Sequence, residues 1–433
     1  MREIIGIVCE YNPFHAGHAF HIAESRRLAL LSSEKSTLSS SESFREDASN
    51  GEVPVPEHQQ RAENPLVICV MSGDFVQRGE WAILPKHERA ESAVRGGADL
   101  VVELPLPWSL SSAEGFASGA VDILLRLGIT CLSFGSECGD ISALEKTAEM
   151  LSVPGFHEKV SEYLRSGREL PYPAARSAVL RSLGAPVELA DAPNDLLGTE
   201  YLKALSSFGW NNFRGERVRS ICVRRIGSGH DKIALEEGAS AEQRNGIVYP
   251  SAMELRRIMK SEGKGADDAA LDLAAVSRLR MLCMSGLSLS GDSANGAGER
   301  IRLGIRSGAR TVDEICLTAK TKSLTYSRLK RIVMREVLQL DAELSASPPP
   351  YARILAANDR GRKYLASLRG LSGGIPVITQ PKQIRKMEDY SRKVFAAGAY
   401  AKDFYNLGFR KNLPDSCGED YRMGPIYVSD CEI

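Results

Sequence analysis

The opening of this chain constrains it most: an apolar run from Ile4 to Cys9, followed at once by Glu10-Tyr-Asn-Pro-Phe-His-Ala-Gly-His18. A short apolar run closed by a turn reads as a strand buried on both faces, which belongs in a parallel sheet covered by helices. Asn12-Pro13 ends the strand. The residues from about Gly17 to Leu31, with Ala19, Ile22 and Ala23 on one face, read as a helix. Two imidazoles and a glycine therefore stand at a helix N-terminus, where unpaired N–H groups and the helix dipole attract phosphate. Gly17 admits a close backbone approach that a side chain would block. His15 and His18 are one turn apart and can face one side of a bound triphosphate. From there they can donate hydrogen bonds as charge grows at the α-phosphorus.

The next segments repeat the alternation. Leu66 to Met71 reads as a second buried strand, Lys86 to Arg95 as a helix and Asp99 to Leu104 as a third strand. A helix from Ala113 to Leu127 then leads to a fourth strand, Thr130 to Phe134. Strands and helices in this order predict right-handed βαβ units and a mainly parallel, Rossmann-like sheet, with ligands at the strands' carboxyl ends. The His15/His18 turn and Met71-Ser-Gly-Asp74 both fall at such ends. Ser32 to Asn64 is rich in Ser, Glu and Pro with almost no large apolar residue, and reads as a disordered insertion.

At 433 residues the chain is long enough for two or three domains. Apolar residues make up 43% and charged residues 25%, the balance of a folded protein. No apolar run approaches the length of a membrane span. Arg2-Glu3 leads straight into the first strand without the pattern of a secretion signal, so a cytoplasmic protein is expected. The nine cysteines are scattered, with Cys9, Cys69 and Cys222 inside apolar runs. They read as buried reduced thiols, and no metal site is expected from their spacing, that of Cys131 and Cys138 included.

The character changes near Ser261. Gly263 to Ala269 reads as a linker, and helical patterns follow at Leu271–Met284, Val312–Leu317, Ser327–Leu340, Tyr351–Leu368 and Gln383–Tyr405. The predicted organisation is a domain over 1–262 and a mostly α-helical, basic domain over 263–433. The 55 Lys and Arg balance the 55 Asp and Glu overall, which argues against a protein that coats nucleic acid indiscriminately. From Lys320 to Arg410, however, 18 Lys and Arg face 7 Asp and Glu, a local surplus suited to a polyanion.

Gly6-Ile-Val-Cys-Glu-Tyr-Asn-Pro-Phe-His-Ala-Gly-His18 resembles the opening of the bacterial tRNA(Met) cytidine acetate ligase family, within the HIGH-motif nucleotidyltransferases. The resemblance continues through Val70-Met-Ser-Gly-Asp-Phe-Val-Gln-Arg-Gly-Glu80, Gly97-Ala-Asp-Leu-Val-Val-Glu-Leu-Pro105, Phe134-Gly-Ser-Glu137, Pro193-Asn-Asp-Leu-Leu-Gly198 and Tyr201-Leu202. It reappears in Thr321-Lys-Ser-Leu-Thr-Tyr-Ser-Arg328 and Tyr351-Ala-Arg-Ile-Leu355. It implies an ATP-dependent ligase that forms acetyl adenylate and acetylates N4 of the wobble cytidine of elongator tRNA(Met), with Mg²⁺ bridging phosphate oxygens. A small-molecule nucleotidyltransferase, or a noncatalytic RNA-binding protein with a degenerate nucleotide site, would fit part of the same pattern.

The resemblance also implies that Ile7, Val8, Cys9, Glu10, Tyr11, Asn12, Pro13, Phe14, Ala16, Gly17, Ala19 and Phe20 wrap ATP, with His15 and His18 on the phosphates as the catalytic pair. Further nucleotide contacts are implied for Gly135, Asn194, Arg225 and Ile226. Gly135 would let a base or ribose approach, Asn194 can pair donor and acceptor with its edges, and Arg225 offers a planar fork for phosphate. Arg224 could serve instead of Arg225. Ser251-Ala-Met-Glu-Leu-Arg256 resembles the superfamily's second phosphate motif, with Met253 where a hydroxyl is expected. An N-cap followed by an exposed arginine accounts for those residues as well. Ser72, Asp74, Gln77 and Arg78 form a polar loop in which Arg78 is a candidate for acetate or phosphate. For RNA, Lys320, Lys322, Arg328, Lys330 and Arg331 cluster around Tyr326, and Lys382, Arg385, Lys386, Arg392 and Lys393 form a second basic group.

Overall fold

Apolar strands separated by helices are buried by lying side by side under helical layers, and the chain arranges them so. The computed structural model describes residues 3–42, 64–166, 172–186, 192–225, 241–244, 247–284, 296–409 and 417–429. The first elements are β1 (Ile4–Cys9), α1 (Ala16–Glu42), β2 (Leu66–Ser72), the hairpin β3 (Phe75–Val76) and β4 (Glu80–Trp81), α2 (Lys86–Arg95) and β5 (Leu100–Leu104). There follow α3 (Ala113–Arg126), β6 (Cys131–Ser136), α4 (Ile141–Ser152), α5 (Phe156–Arg165), α6 (Tyr172–Ser182), α7 (Pro193–Ser207) and β7 (Arg219–Arg224). Next come the hairpin β8 (Ala241–Arg244) and β9 (Ile247–Pro250), α8 (Ala252–Ser261), α9 (Asp268–Met284), α10 (Ala297–Arg306), α11 (Val312–Ala319) and α12 (Tyr326–Val337). The last are β10 (Ala352–Ala357), α13 (Asp359–Ser367), β11 (Val377–Ile378), α14 (Asp389–Asn406) and β12 (Ile426–Tyr427).

The main sheet runs β11-β10-β5-β2-β1-β6-β7, with β12 on β10. β1 is parallel to β2 and β6, β2 to β5, and β6 to β7. The chain steps outward from β1 to β5 and returns to the opposite side of β1 for β6. This reversal opens a crevice at the carboxyl ends of β1 and β6. On one face Ile5 and Ile7 pack with Ile22, Ala90 and Val94 of α1 and α2; on the other Ile4 packs with Leu124 and Leu202 of α3 and α7. No helix among the described residues is long and apolar enough to cross a membrane.

Three expectations are corrected. The first helix continues past Leu31 to Glu42, because Ser32 to Glu42 contains no Pro or Gly to stop it; residues 43–63 lie outside those described. Tyr351–Leu368 is not one helix. Its first half is β10, buried at every position, because an interior strand hydrogen-bonded to β5 outweighs the helix preference of its alanines. Asn358 then caps α13 by accepting from the Gly361 N–H at 2.9 Å. The division at 262/263 is crossed as well, since β10, β11 and β12 extend the sheet begun by residues 4–136. The helical unit is α9 to α12 with α14, around Leu271, Leu279, Ile315, Leu329, Val333 and Tyr405.

Buried charges fasten these parts together. Asp99 accepts from the Val67 N–H at 2.8 Å, Arg26 at 2.7 Å and the Asn358 amide at 2.9 Å. Lys86, 1% exposed, donates to Glu103 at 2.8 Å and Asp420 at 2.6 Å, while Arg353 pairs with Glu103 at 3.2 Å and Asp420 at 2.7 Å. Burial opposes the charge of Lys86, but Asp420 and Glu103 more than offset it and keep its pKa raised. The buried Glu103 and Asp99 of the 97–105 segment are therefore structural. Beside them His87 is buried with neither ring nitrogen hydrogen-bonded, and burial, with Lys86 and Arg353, depresses its pKa to about 3.

Two stability outcomes follow from this network. Lys86→Met leaves Asp420 and Glu103 short of a buried counter-charge and should cost about 3–5 kcal/mol, read as a lowered urea midpoint. His87 stays neutral in the folded protein down to about pH 3, whereas the unfolded chain takes up its proton near pH 6.5. Its contribution is thus complete above pH 6.5 and is lost as pH falls below it, by at most about 1.4 kcal/mol per pH unit. Between pH 7 and 5 the stability of His87→Leu should fall less than that of the wild type.

Candidate functional site

The loop after β1 is held by one buried guanidinium. Arg89 of α2 is 0% exposed. It donates to the carbonyls of Glu10 (2.5 Å), Ser72 (3.2 Å), Gly73 and Leu84 (2.9 Å). The ends of β1 and β2 and the approach to α2 thus converge on a single side chain. Tyr11 takes a left-handed backbone (φ 45°), and the Asn12–Pro13 peptide is cis. Asn12 accepts from the Ile83 N–H at 2.8 Å through its side chain and from Arg256 at 2.7 Å through its carbonyl. Phe14 leaves the loop to pack on Gly96, where an added Cβ would run into the ring.

The imidazoles at the start of α1 are fixed by backbone donors. The Gly17 N–H donates to His15 Nδ1 at 3.1 Å, and the His15 N–H to His18 Nδ1 at 3.3 Å. Both Nδ1 atoms are acceptors, so each neutral ring carries its proton on Nε2. The rings lie 3.7 Å apart between centroids. Burial, then His15, His21 and Arg225, holds His18 well below the usual imidazole range. The pair is a set of neutral N–H donors. His21, one further turn along, sets Nε2 3.2 Å from Ser133 Oγ, and burial with Arg225 lowers its pKa to about 4.

The facing wall comes from β6, α7 and β7. Asp195, 1% exposed, accepts from Ser136 Oγ at 2.5 Å and from the Glu137 and Cys138 N–H groups at 2.9 and 3.1 Å. Glu137 in return accepts from the Asp195 N–H at 2.9 Å and the Asn194 amide at 2.6 Å. The N-terminus of α7 is capped from outside by Glu137, and Asn194 is oriented with its oxygen receiving Arg225 at 3.4 Å. At Gly135 an added Cβ would find nothing nearer than Arg225 at 3.6 Å, ordinary contact.

Between the walls lies a cleft of about 590 Å³. Val8, Cys9, Glu10, Tyr11, Asn12, His15, Gly17, His18, Phe20, Gly135, Asn194 and Arg225 all line it, as do Arg224, Arg78 and Arg256. Ile7, Pro13, Phe14, Ala16 and Ala19 do not, and Ile7 is wholly buried in the sheet. Ile226 lies outside the described residues. Ser251 caps α8 by accepting from the Glu254 N–H at 3.2 Å, and Met253 is exposed outside the cleft, so the motif contributes Arg256 alone of its polar groups. Asp74 is spent on the Lys86 N–H at 2.8 Å, and Ser72 is buried. Gln77 donates its N–H to Glu10 at 2.7 Å. Sequence reasoning missed His21, Arg176, Phe116, Leu197 and Tyr201, which also line the cleft, and the Arg89 clamp. The signal for Arg89 was a cation on the apolar stripe Lys86, Arg89, Ala90, Ala93, Val94, all buried.

Among the basic residues expected to meet RNA, Lys320, Lys322, Lys382, Arg385 and Lys386 are exposed. Arg328 and Arg331 are half-buried on α12. Lys330 is turned inward between Asp313 at 2.8 Å and Glu80 at 3.4 Å, tying α12 to the hairpin that carries Gln77 and Arg78. The described cysteines are free thiols, burial pushing Cys9 well above its ordinary value. Among the described residues no group of His, Cys, Asp and Glu is arranged to hold a metal.

Comparison with known proteins matches residues 2–32 and 54–419 to the family described as HIGH Nucleotidyl Transferase. A tRNA(Met) cytidine acetate ligase of Alkaliphilus metalliredigens is 30% identical over 98% of this chain and 99% of its own. One of Caldanaerobacter subterraneus is 31% identical over 94% and 96%. A crystal structure of Thermotoga maritima TmcAL bound with alpha-thio ATP superposes with a TM-score of 0.73 at 24% identity, covering 99% of this chain and all of that one.

Gly135 offers a clean separation of folding from binding. Because the protein itself leaves room for a Cβ there, Gly135→Ala should keep the wild-type urea midpoint. Its methyl group would project from the cleft lining, and calorimetry should show ATP bound roughly tenfold more weakly, about 1.4 kcal/mol.

Proposed function

The chain belongs to the tRNA(Met) cytidine acetate ligase family of HIGH nucleotidyl transferases, and on that premise we propose that it joins acetate to a tRNA(Met) cytidine at the expense of ATP. One observation carries the chemistry: two neutral imidazoles, locked by backbone N–H groups as Nε2–H donors at a helix start, beside Arg78, Arg225 and Arg256 in one cleft. Acetate is a poor acyl donor. Attack of its oxygen on the α-phosphorus breaks the bond to pyrophosphate and yields acetyl adenylate. The imidazoles donate to phosphate oxygens as their charge rises, and the guanidiniums neutralise the departing pyrophosphate. The cytidine amine then attacks the acyl carbon, and AMP leaves.

Glu10 is the one carboxylate among the described residues lining the cleft. That donor set is too small for a protein-held metal, so a divalent cation would enter on the triphosphate. The pairing of α12 with the Gln77–Arg78 hairpin through Lys330 supports a division of labour in which the helical unit receives tRNA. Exposed Lys320, Lys322, Lys382, Arg385 and Lys386 would meet its phosphates, and a target base splayed from its stack would reach the cleft. An enzyme acting on tRNA of this kind works in the cytoplasm. The intact imidazole pair favours catalysis over a degenerate nucleotide site.

The test is incubation with ATP, labelled acetate and bulk tRNA. Label should appear in acetylated cytidine after digestion, and His18→Ala should slow acetyl adenylate formation by roughly 10²–10³-fold. Label in a small molecule and none in tRNA would overturn the reading.

A further inference from the structure

The acyl-transfer step needs a proton acceptor, because the exocyclic amine that attacks acetyl adenylate must lose a proton as the C–N bond forms. Few of the titratable groups lining the cleft can take it. His15 and His18 already carry protons on Nε2, with Nδ1 accepting from the backbone. His21 engages Ser133 through Nε2 and has a pKa of about 4. The Cys9 thiol and the Tyr11 and Tyr201 phenols are all pushed upward by burial and keep their protons.

Glu10 is placed differently. Its backbone carbonyl is clamped by Arg89 at 2.5 Å, and its Oε1 accepts the Gln77 N–H at 2.7 Å. The Gln77 side chain reaches the Ser111 carbonyl at 3.4 Å, just ahead of α3. Phe116, Phe134 and Tyr201, each at most 4% exposed, line the same cleft as this carboxylate. Phe134 and Tyr201 are 6.0 Å apart between centroids and tilted by 56°. Burial raises the pKa of Glu10 against the opposing effects of the Gln77 N–H and Arg89, making it a stronger base than an ordinary carboxylate.

Resting on the acetate-ligase reading, we propose that Glu10 is the general base of acyl transfer, taking the proton from the attacking cytidine amine. The amine nitrogen bonds to the acyl carbon, the bond from that carbon to the AMP oxygen breaks, and the amine proton ends on the Glu10 carboxylate. AMP leaves as its phosphate anion.

The experiment separates the two half-reactions. Acetate-dependent exchange of pyrophosphate into ATP reports adenylation, and single-turnover transfer from preformed acetyl adenylate to tRNA reports the second step. In Glu10→Gln the amide oxygen still receives the Gln77 N–H, so the loop is retained. Transfer should fall at least about 100-fold, and by a larger factor than exchange. Wild-type transfer should rise with pH to a plateau as the carboxylate ionises, a limb absent from the variant, and Glu10→Asp should recover part of the rate. Equal loss of exchange and transfer, or transfer unchanged in Glu10→Gln, would overturn the assignment. If the wild type shows no acetate-dependent exchange, the ligase reading itself fails and the assignment falls with it.

Discussion

The Arg89 guanidinium is the interaction on which the site depends. It lies out of water and is satisfied mainly by carbonyl oxygens from three separate segments. A buried cation is costly unless its donors are matched, and the guanidinium fork can match several acceptors at once. The carbonyls at the ends of β1 and β2 would otherwise be unpaired where the sheet stops and the cleft begins. One side chain thus satisfies the strand ends, sets the direction in which the chain leaves β1, and so places Glu10 and the loop that leads to the imidazoles.

The same logic runs through the rest of the sheet. Lys86, on the same helix, reaches Glu103 of β5 and Asp420, and Arg353 of β10 closes the set. Asp99 joins β2, α1 and the cap of α13. These contacts bind residues from beyond position 350 into a sheet begun by the first nine, which explains why the helical unit is framed by strands of the nucleotide-binding sheet. A mutation near the C-terminus, at Asp420 for instance, acts on the same network that holds α2, and α2 carries Arg89.

The sheet from β1 to β6 was legible because its strands are buried on both faces and its connections follow the βαβ rule. The His15/His18 turn was legible because its residue types have few other uses at a helix start. What escaped reading depended on distant partners. Tyr351 to Ala357 looks helical in isolation and becomes a strand only because β5 offers it an edge. Lys330 counted as one more cation in a basic run until Asp313 and Glu80 came to face it. The roles of Glu137 and Asp195 arise from a reciprocal exchange between a strand end and a helix start, more than fifty residues apart in sequence, for which local pattern carries no sign.

The cleft divides part of its electrostatic work by exposure, although Arg176 and Arg256 are half-buried like the imidazoles. Its half-buried lining includes the neutral donors His15 and His18, whose protons are placed by backbone geometry, with burial keeping His18 uncharged. Its exposed rim holds Arg78, Arg224 and Arg225. Permanent cations in place of the two imidazoles would bind a triphosphate strongly before reaction and gain little as the transition state forms, because uniform binding does not raise the rate. Preorganised neutral donors aimed at the phosphate oxygens strengthen as charge accumulates there. Cations at the rim attract the polyanion while remaining hydrated, so they avoid the desolvation that a buried guanidinium incurs. Glu10, the one carboxylate among the described lining residues, is engaged by the Gln77 N–H and does not stand at the helix start, where a negative charge would compete with phosphate.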